Sequence, residues 1–347
     1  MPTLIKSKTI KSLEELVARG LLDANNSDKL AEVAAKYSIA IPQNIAGMLY
    51  SDAIAKQFIP SKDELVTLER ELADPIGDDA HSPLKGLVHR YKNRVLIKLV
   101  EVCGVYCRFC FRRENVGDNK GQALKGDELE QIYGYLHQHK EIDEVILTGG
   151  DPLVASVRRL KEVAENIAKI SHIKFFRIHT RAVIANPEII NDELIAALKA
   201  SQKSVKMVIH TNHAIEINDA VKVAINKLVD AKIQLFSQSV LLRNVNDKPE
   251  VLAELFNTLL QNNINPYYLH HPDLAKGTGH FYLNLEEGAK IYRETTKLVS
   301  GIALPKYVID IPGGYGKIPV NSGQVIKTSD GFILIDNNGK RHNYPIL

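Results

Sequence analysis

The chain has 347 residues, 45% apolar and 24% charged, close to the globular average, which excludes wholesale disorder and predicts a large buried core. Its 44 Lys and Arg against 41 Asp and Glu give a net charge of +3, with the signs interspersed along the chain. That pattern leaves no footprint for nucleic acid, and no apolar run approaches the ~18–20 residues of a membrane span.

Residues 1–88 read as an N-terminal helical extension. The opening MPTLIKSKTIKSLEE lacks the apolar region of a secretory signal, so a cytoplasmic location is expected. Ser12 with Glu15 forms a capping box before Leu13, Leu16 and Val17. Leu30, Val33, Ala34 and Tyr37 recur at helical spacing on one apolar face, which Pro42 ends. Ser61 with Glu64 makes a second capping box, predicting a helix through Leu65, Leu68 and Leu72. The turn-rich segment 74–86 reads as a loop.

Residues 89–300 read as a β/α core. Short apolar runs at 94–100, 144–150, 174–180, 205–211, 233–241 and 265–270 alternate with amphipathic segments at ~30-residue spacing, as repeated βαβ units require. Six units predict a parallel α/β array, open or barrel-shaped, with ligands at the C-terminal ends of its strands. Cys103, Gly149 to Asp151, His179 to Arg181, His210 to His213, Gln238 and Asp273 all fall there. In the remainder, 301–347, Asp330-Gly331 and Asn338-Gly339 are turn signals between alternating runs, predicting a small β-hairpin or meander.

All three cysteines, Cys103, Cys107 and Cys110, lie within eight residues after a predicted strand. An odd thiol count argues against a disulfide framework. Three thiolates on one loop can hold a [4Fe–4S] cluster and leave one iron open to a small ligand. A partial zinc site completed by histidine, or three buried thiols, are the alternatives. Further on, Ile309-Asp310-Ile311-Pro312-Gly313-Gly314-Tyr315-Gly316-Lys317 places a lysine at the end of a glycine-rich loop. Such a lysine either sits in water or, if its pKa is lowered, forms a Schiff base.

The spacing Cys103-x3-Cys107-x2-Cys110 after a first core strand, with Gly149-Gly150-Asp151-Pro152 after the second, resembles the radical S-adenosylmethionine superfamily. From about Asp74 to Val320 the chain is similar to the lysine 2,3-aminomutase family. DPIGDDAHSPLKGLVHRY (74–91), CGVYCRFCFRR (103–113), LTGGDP (147–152), RIHTR (177–181), HTNHAIEI (210–217), QSVLLRNVND (238–247), PYYLHHPDLAKGTGHF (266–281) and IDIPGGYGK (309–317) follow family order. The resemblance implies a partial (β/α)6 barrel, a [4Fe–4S] cluster on the three cysteines, S-adenosylmethionine and pyridoxal 5′-phosphate. It implies an isomerase that converts L-lysine to β-lysine through a 5′-deoxyadenosyl radical, fed by a reducing electron donor. Lys317 would hold pyridoxal phosphate, with Arg90 near its phosphate, Tyr91 near its ring and Gln238 near the cofactors. Gly149, Gly150 and Asp151 would lie at S-adenosylmethionine.

Arg112 would meet the substrate carboxylate, and Asp273 and Asp310 its ε-ammonium. A buried cation needs such paired counter-charges, although each aspartate alone could equally cap a turn. His179, His210 and His213 could be cofactor-side groups or structural hydrogen-bonders. The resemblance also implies self-association and a functional link to elongation factor P, for which short family members supply (R)-β-lysine. An aminomutase for another amino acid, or a non-catalytic iron–sulfur or zinc module, are the rival readings. Three departures stand out. Phe111-Arg112-Arg113 replaces the triple arginine of long members, and Tyr315 stands where many relatives have glycine. With no further cysteine, the C-terminal structural zinc of longer relatives is not expected.

Overall fold

The computed structural model describes residues 9–117 and 123–346; residues 1–8, read above for a secretory signal, lie outside that range. Nine strands form one sheet in strict sequence order. They are β1 (Leu87–Tyr91), β2 (Arg94–Val100), β3 (Glu144–Gly149), β4 (Phe175–Thr180), β5 (Ser204–His210), β6 (Gln234–Val240), β7 (Ile264–His270), β8 (Lys306–Asp310) and β9 (Lys317–Pro319). Strands β2 to β8 pair in parallel, and β1 and β9 add antiparallel edges. No pairing joins β1 to β9 among the described residues, so the barrel is partial.

Each crossover carries a helix with one apolar face. In Val157–Ala168, Leu160, Val163, Ala164 and Ile167 are buried at helical spacing, and the Ser156 hydroxyl accepts from Arg159 N at 3.3 Å to cap the start. Asn191, Asn218 and Asn284 cap Asp192–Lys199, Asp219–Asp230 and Leu285–Thr295 in the same way. The six expected strands are all present. A seventh parallel strand, β8, was not expected: it is five residues long, opens on an exposed lysine and ends on an aspartate, too little pattern to separate from a loop.

The 325–345 segment is the expected meander: β10 (Val325–Lys327), β11 (Gly331–Ile335) and β12 (Arg341–Pro345) pair antiparallel, and Phe332, Leu334 and Tyr344 join the main core. Near the N-terminus, Leu13–Ala18, Ala24–Lys36, Gln43–Ala46 and Asp52–Phe58 are helical. This segment braces the cysteine loop: Tyr106 N donates to Ala40 O in the connection between two of the helices at 3.2 Å, and Arg108 N to Gln57 O in Asp52–Phe58 at 2.8 Å. Among the described residues, no helix is long and apolar enough to cross a membrane.

The helix expected after Ser61 is reduced to a 3-10 turn, Lys62–Leu65. The capping box forms: Asp63 N donates to the Ser61 hydroxyl, and one Glu64 oxygen accepts from Ser61 N at 2.8 Å. The carboxylate, however, also binds two arginines of the cysteine loop. Arg108 Nε lies 3.0 Å from both Glu64 oxygens, and Arg113 NH2 bonds the second. Burial alone would raise the Glu64 pKa, and the two guanidiniums outweigh it and hold it below the ordinary value. Replacing Glu64 by Gln strands two buried cations. Denaturant unfolding at pH 7 should show a loss of about 3–5 kcal/mol, against about 0.5 kcal/mol or less for exposed Lys62→Gln. The Glu64 contribution is complete above its ordinary pKa of 4.5 and is lost as pH falls through the lowered folded value. The variant should therefore lose less stability on acidification than the parent.

Candidate active site

The C-terminal ends of the parallel strands open into one cavity of about 470 Å³, a size suited to small-molecule ligands. Every site residue expected from the sequence lines it: Cys103, Cys107 and Cys110; Arg90, Tyr91 and Arg112; Gly149, Gly150 and Asp151; Gln238, Asp273, Asp310 and Lys317. His179 and His210 also reach it, and His213 does not. The ring of His213 instead accepts from Ile215 N at 3.2 Å and caps a turn. His210 stacks on Phe109 with ring centroids 5.4 Å apart, beside the cysteines.

The three thiols enter from the single loop after β2. Loss of water pushes all three above the ordinary thiol range, Cys107 up to about 12. A cluster seated here takes them as thiolates, so its assembly releases protons. Among the described residues no group of three or more His, Cys, Asp or Glu side chains could hold a single metal ion. A four-iron cluster takes each thiolate on a different iron and needs no such convergence.

The glycine turn is stitched to the chain entering the cysteine loop. Gly150 N donates to Val100 O at 2.6 Å and Asp151 N to Val102 O at 3.0 Å. A Cβ on Gly149 would sit 2.3 Å from Val100 O, and one on Gly150 2.1 Å from Val102 O, so both positions require glycine. The Asp151 carboxylate is committed to protein donors: Leu153 N, Thr180 Oγ1, Arg181 N and Ala182 N, all at 2.8–3.0 Å. It ties the ends of β3 and β4 together.

Asp78 is the residue that the sequence reading missed. Its Oδ2 accepts from Arg112 Nε at 2.9 Å and NH2 at 2.8 Å, and its Oδ1 from Arg90 NH2 at 3.2 Å. One carboxylate thus sets both arginines assigned to anionic groups. It belongs to the DPIGDD run, whose turn residues pointed only to a loop. Arg90 Nε is buried without a partner among the described residues, an open donor suited to a phosphate oxygen.

Lys317 and Asp310 face each other as register partners of β8 and β9. Lys317 Nζ lies 2.6 Å from Asp310 Oδ1, and His270 Nδ1 lies 3.5 Å from Oδ2. Burial would raise the Asp310 pKa; the Lys317 charge and the His270 hydrogen bond outweigh it and hold it well below the carboxylate range. His270 is a further residue that the sequence reading did not single out. Tyr91 Oη accepts from Lys317 N at 3.2 Å, and the Arg94 guanidinium lies 3.8 Å from the Tyr91 ring centre. Among the described residues the Asp273 carboxylate has no hydrogen-bond or ion-pair partner. Burial, then the Asp310 charge, push its pKa up to about 8. Gln238 occupies the end of β6, where its carbonyl accepts from Thr211 N, and its side chain faces the cavity.

The family model of the radical SAM superfamily matches residues 97–256, the stretch that carries the cysteine loop and β2 to β6. The chain is 32% identical to the L-lysine 2,3-aminomutase of Clostridium subterminale, over 94% of this chain and 79% of that protein. It is 37% identical to that of Escherichia coli K12 over 78% of each, and 36% identical to that of Methanococcus maripaludis over 83% of this chain. It spans 66% of the Methanococcus protein's length. A distant likeness of fold links it to Streptococcus suis SuiB bound to S-adenosylmethionine, with a TM-score of 0.47 and 15% identity over 62% of this chain and 49% of that one. The matched domain and the partial parallel barrel are those of the radical S-adenosylmethionine superfamily. Within that class, the chain belongs to the lysine 2,3-aminomutase family, whose members are isomerases that use a [4Fe–4S] cluster, S-adenosylmethionine and pyridoxal phosphate.

If the glycine turn positions the cysteine loop, Gly150→Ala should impair cluster binding without removing a thiol. After anaerobic reconstitution, iron and sulfide per chain should fall well below the parent's, as they should also for Cys107→Ser. Parent-like loading of Gly150→Ala would show that the Val102 contact does not set the loop.

Proposed function

We propose that this chain is a lysine 2,3-aminomutase that moves the α-amino group of L-lysine to C3, giving β-lysine. The observation that carries this reading is the unpaired Asp273 carboxylate in the cavity shared by Lys317 and the three cysteines. A carboxylate that faces the cavity with no partner among the described residues calls for a cation from the ligand. The names of the relatives supply the candidate, L-lysine, whose ε-ammonium fits that need.

Cys103, Cys107 and Cys110 would hold the cluster, and Lys317 Nζ would hold pyridoxal phosphate with Arg90 Nε directed to its phosphate. When bound, the cluster with S-adenosylmethionine would supply a 5′-deoxyadenosyl radical, and pyridoxal phosphate would supply a π-system that delocalises the unpaired electron while the nitrogen migrates. The rest is positioning by the chain. Arg112, fixed by Asp78 and Thr148, offers its guanidinium to the substrate carboxylate. Asp310 has two duties in turn: it holds Lys317 as an ammonium when that amine is free, and it joins Asp273 on the substrate ammonium when Lys317 is engaged. His179 and His210, kept neutral by burial, line the wall without adding positive charge.

The test is anaerobic turnover with cluster, S-adenosylmethionine, pyridoxal phosphate, a chemical reductant and lysine, read by mass spectrometry. β-Lysine is the expected product; 5′-deoxyadenosine without β-lysine would mean that another amino acid is the substrate. Asp273→Asn should raise the KM for lysine roughly 10- to 100-fold with a smaller effect on kcat, the loss of one charged hydrogen bond. Because Asp273 is protonated below about pH 8 in the free chain, kcat/KM should climb as pH rises towards 8 and then level. The same limb should be flat in Asp273→Asn.

A further inference from the structure

We propose that the C-terminal meander clamps the lysine loop, with the His342 ring holding Tyr315 and so fixing where Lys317 stands when it captures its cofactor. The inference rests on reading Lys317 as the pyridoxal phosphate lysine. The loop between β8 and β9 has Gly313, Gly314 and Gly316 at φ of 87°, 87° and 94°. Such a run is mobile unless it is tied down, since glycine has the most conformational freedom to lose. Its backbone ties are Ile311 N to Gly316 O at 2.8 Å, His81 Nε2 with Gly314 O at 3.0 Å, and Lys317 N to the Tyr91 hydroxyl.

Tyr315 is the one side chain among those glycines, and the meander grips it. Its ring lies 4.0 Å from that of His342, centroid to centroid, with 31° between the planes, and Lys340 Nζ lies 5.0 Å from its centre. His342 is held in turn, with Nε2 at 2.9 Å from Asp336 Oδ2. The other Asp336 oxygen accepts from Asn338 N and Lys340 N, so a single carboxylate shapes the turn and anchors the clamping ring. Asn337 of that turn lines the cavity, which places the clamp at the chamber wall. Tyr315 is 46% exposed, so the contact does little for overall stability, and its loss should be felt in the loop.

The experiment titrates the protein with pyridoxal phosphate and reduces with borohydride, which fixes the cofactor on the amine that holds it. Peptide mass spectrometry then measures pyridoxyl-Lys317, and hydrogen exchange follows residues 311–317. His342→Ala should need about 3- to 10-fold more pyridoxal phosphate for half-labelling, the range of one aromatic pair. Exchange in 311–317 should quicken while that in β2 to β7 stays unchanged. His342→Phe, which keeps the ring and loses the bond to Asp336, should fall between the parent and His342→Ala, and His342→Gln, which has no ring, should behave as His342→Ala. Tyr315→Ala removes the contact from the loop side without touching the meander and must give the same shift. Parent-like labelling and exchange in Tyr315→Ala would overturn the clamp, whatever His342→Ala does to the meander. Absence of pyridoxyl-Lys317 in the parent would instead overturn the reading of Lys317, and the clamp with it.

Discussion

A charge taken out of water must be paired, and this chain takes many out of water at one rim of one sheet. The solution recurs: a carboxylate placed against arginine or lysine. Glu64 holds Arg108 and Arg113, Asp78 holds Arg90 and Arg112, Glu216 holds Arg181, and Asp310 holds Lys317. Each carboxylate fixes a side chain that faces the chamber, so the pairing that permits burial also sets the geometry of the site. Asp273 departs from the pattern: among the described residues no cation pairs with it, which is the strongest pointer to the ligand.

These pairs also join distant parts of the sequence. Glu64 and Asp78 lie before the first strand, and their partners sit on β1 and on the cysteine loop. Gln57, in an N-terminal helix, donates to Glu216 at 3.0 Å and accepts from Arg181 and Asn212. The helical segment therefore does more than cover the sheet: it supplies acceptors that hold the loop carrying the cysteines. At the other end, β8 and β9 extend the sheet, and their hairpin brings Asp310 and Lys317 to facing positions. The lysine is thus positioned by strand register as well as by the glycines of its loop.

Much of this was legible in the sequence because it depends on local pattern. The six core strands are apolar runs of near-uniform spacing, and the cysteines, the glycine turn and Lys317 are compact signals. What was missed depends on partners far along the chain. Glu64 has the spacing of a helix cap, and its cap forms, but two arginines more than 40 residues away claim the carboxylate and the helix does not continue. Asp78 sits in a run of turn formers, and nothing local distinguishes an aspartate that shapes a turn from one that orders two arginines. His270 lies within the 266–281 motif without standing out from it, and Asn337 reaches the cavity only because the meander folds back. Gly149 and Gly150 were legible as a motif but not in their physical reason, which is the close approach of the chain at Val100 and Val102.

The central claim is that the cysteine loop and the lysine-recognising carboxylates serve one chamber, so that a radical made at one end acts on an amino acid held at the other. The most direct measurement uses lysine carrying deuterium at C3. The loaded enzyme is run anaerobically, and S-adenosylmethionine and 5′-deoxyadenosine are then examined for label by mass spectrometry. The account predicts deuterium at the 5′ carbon of the nucleoside. Radical cleavage that leaves that carbon unlabelled would contradict it, because the two halves of the cavity would then not act on the same molecule.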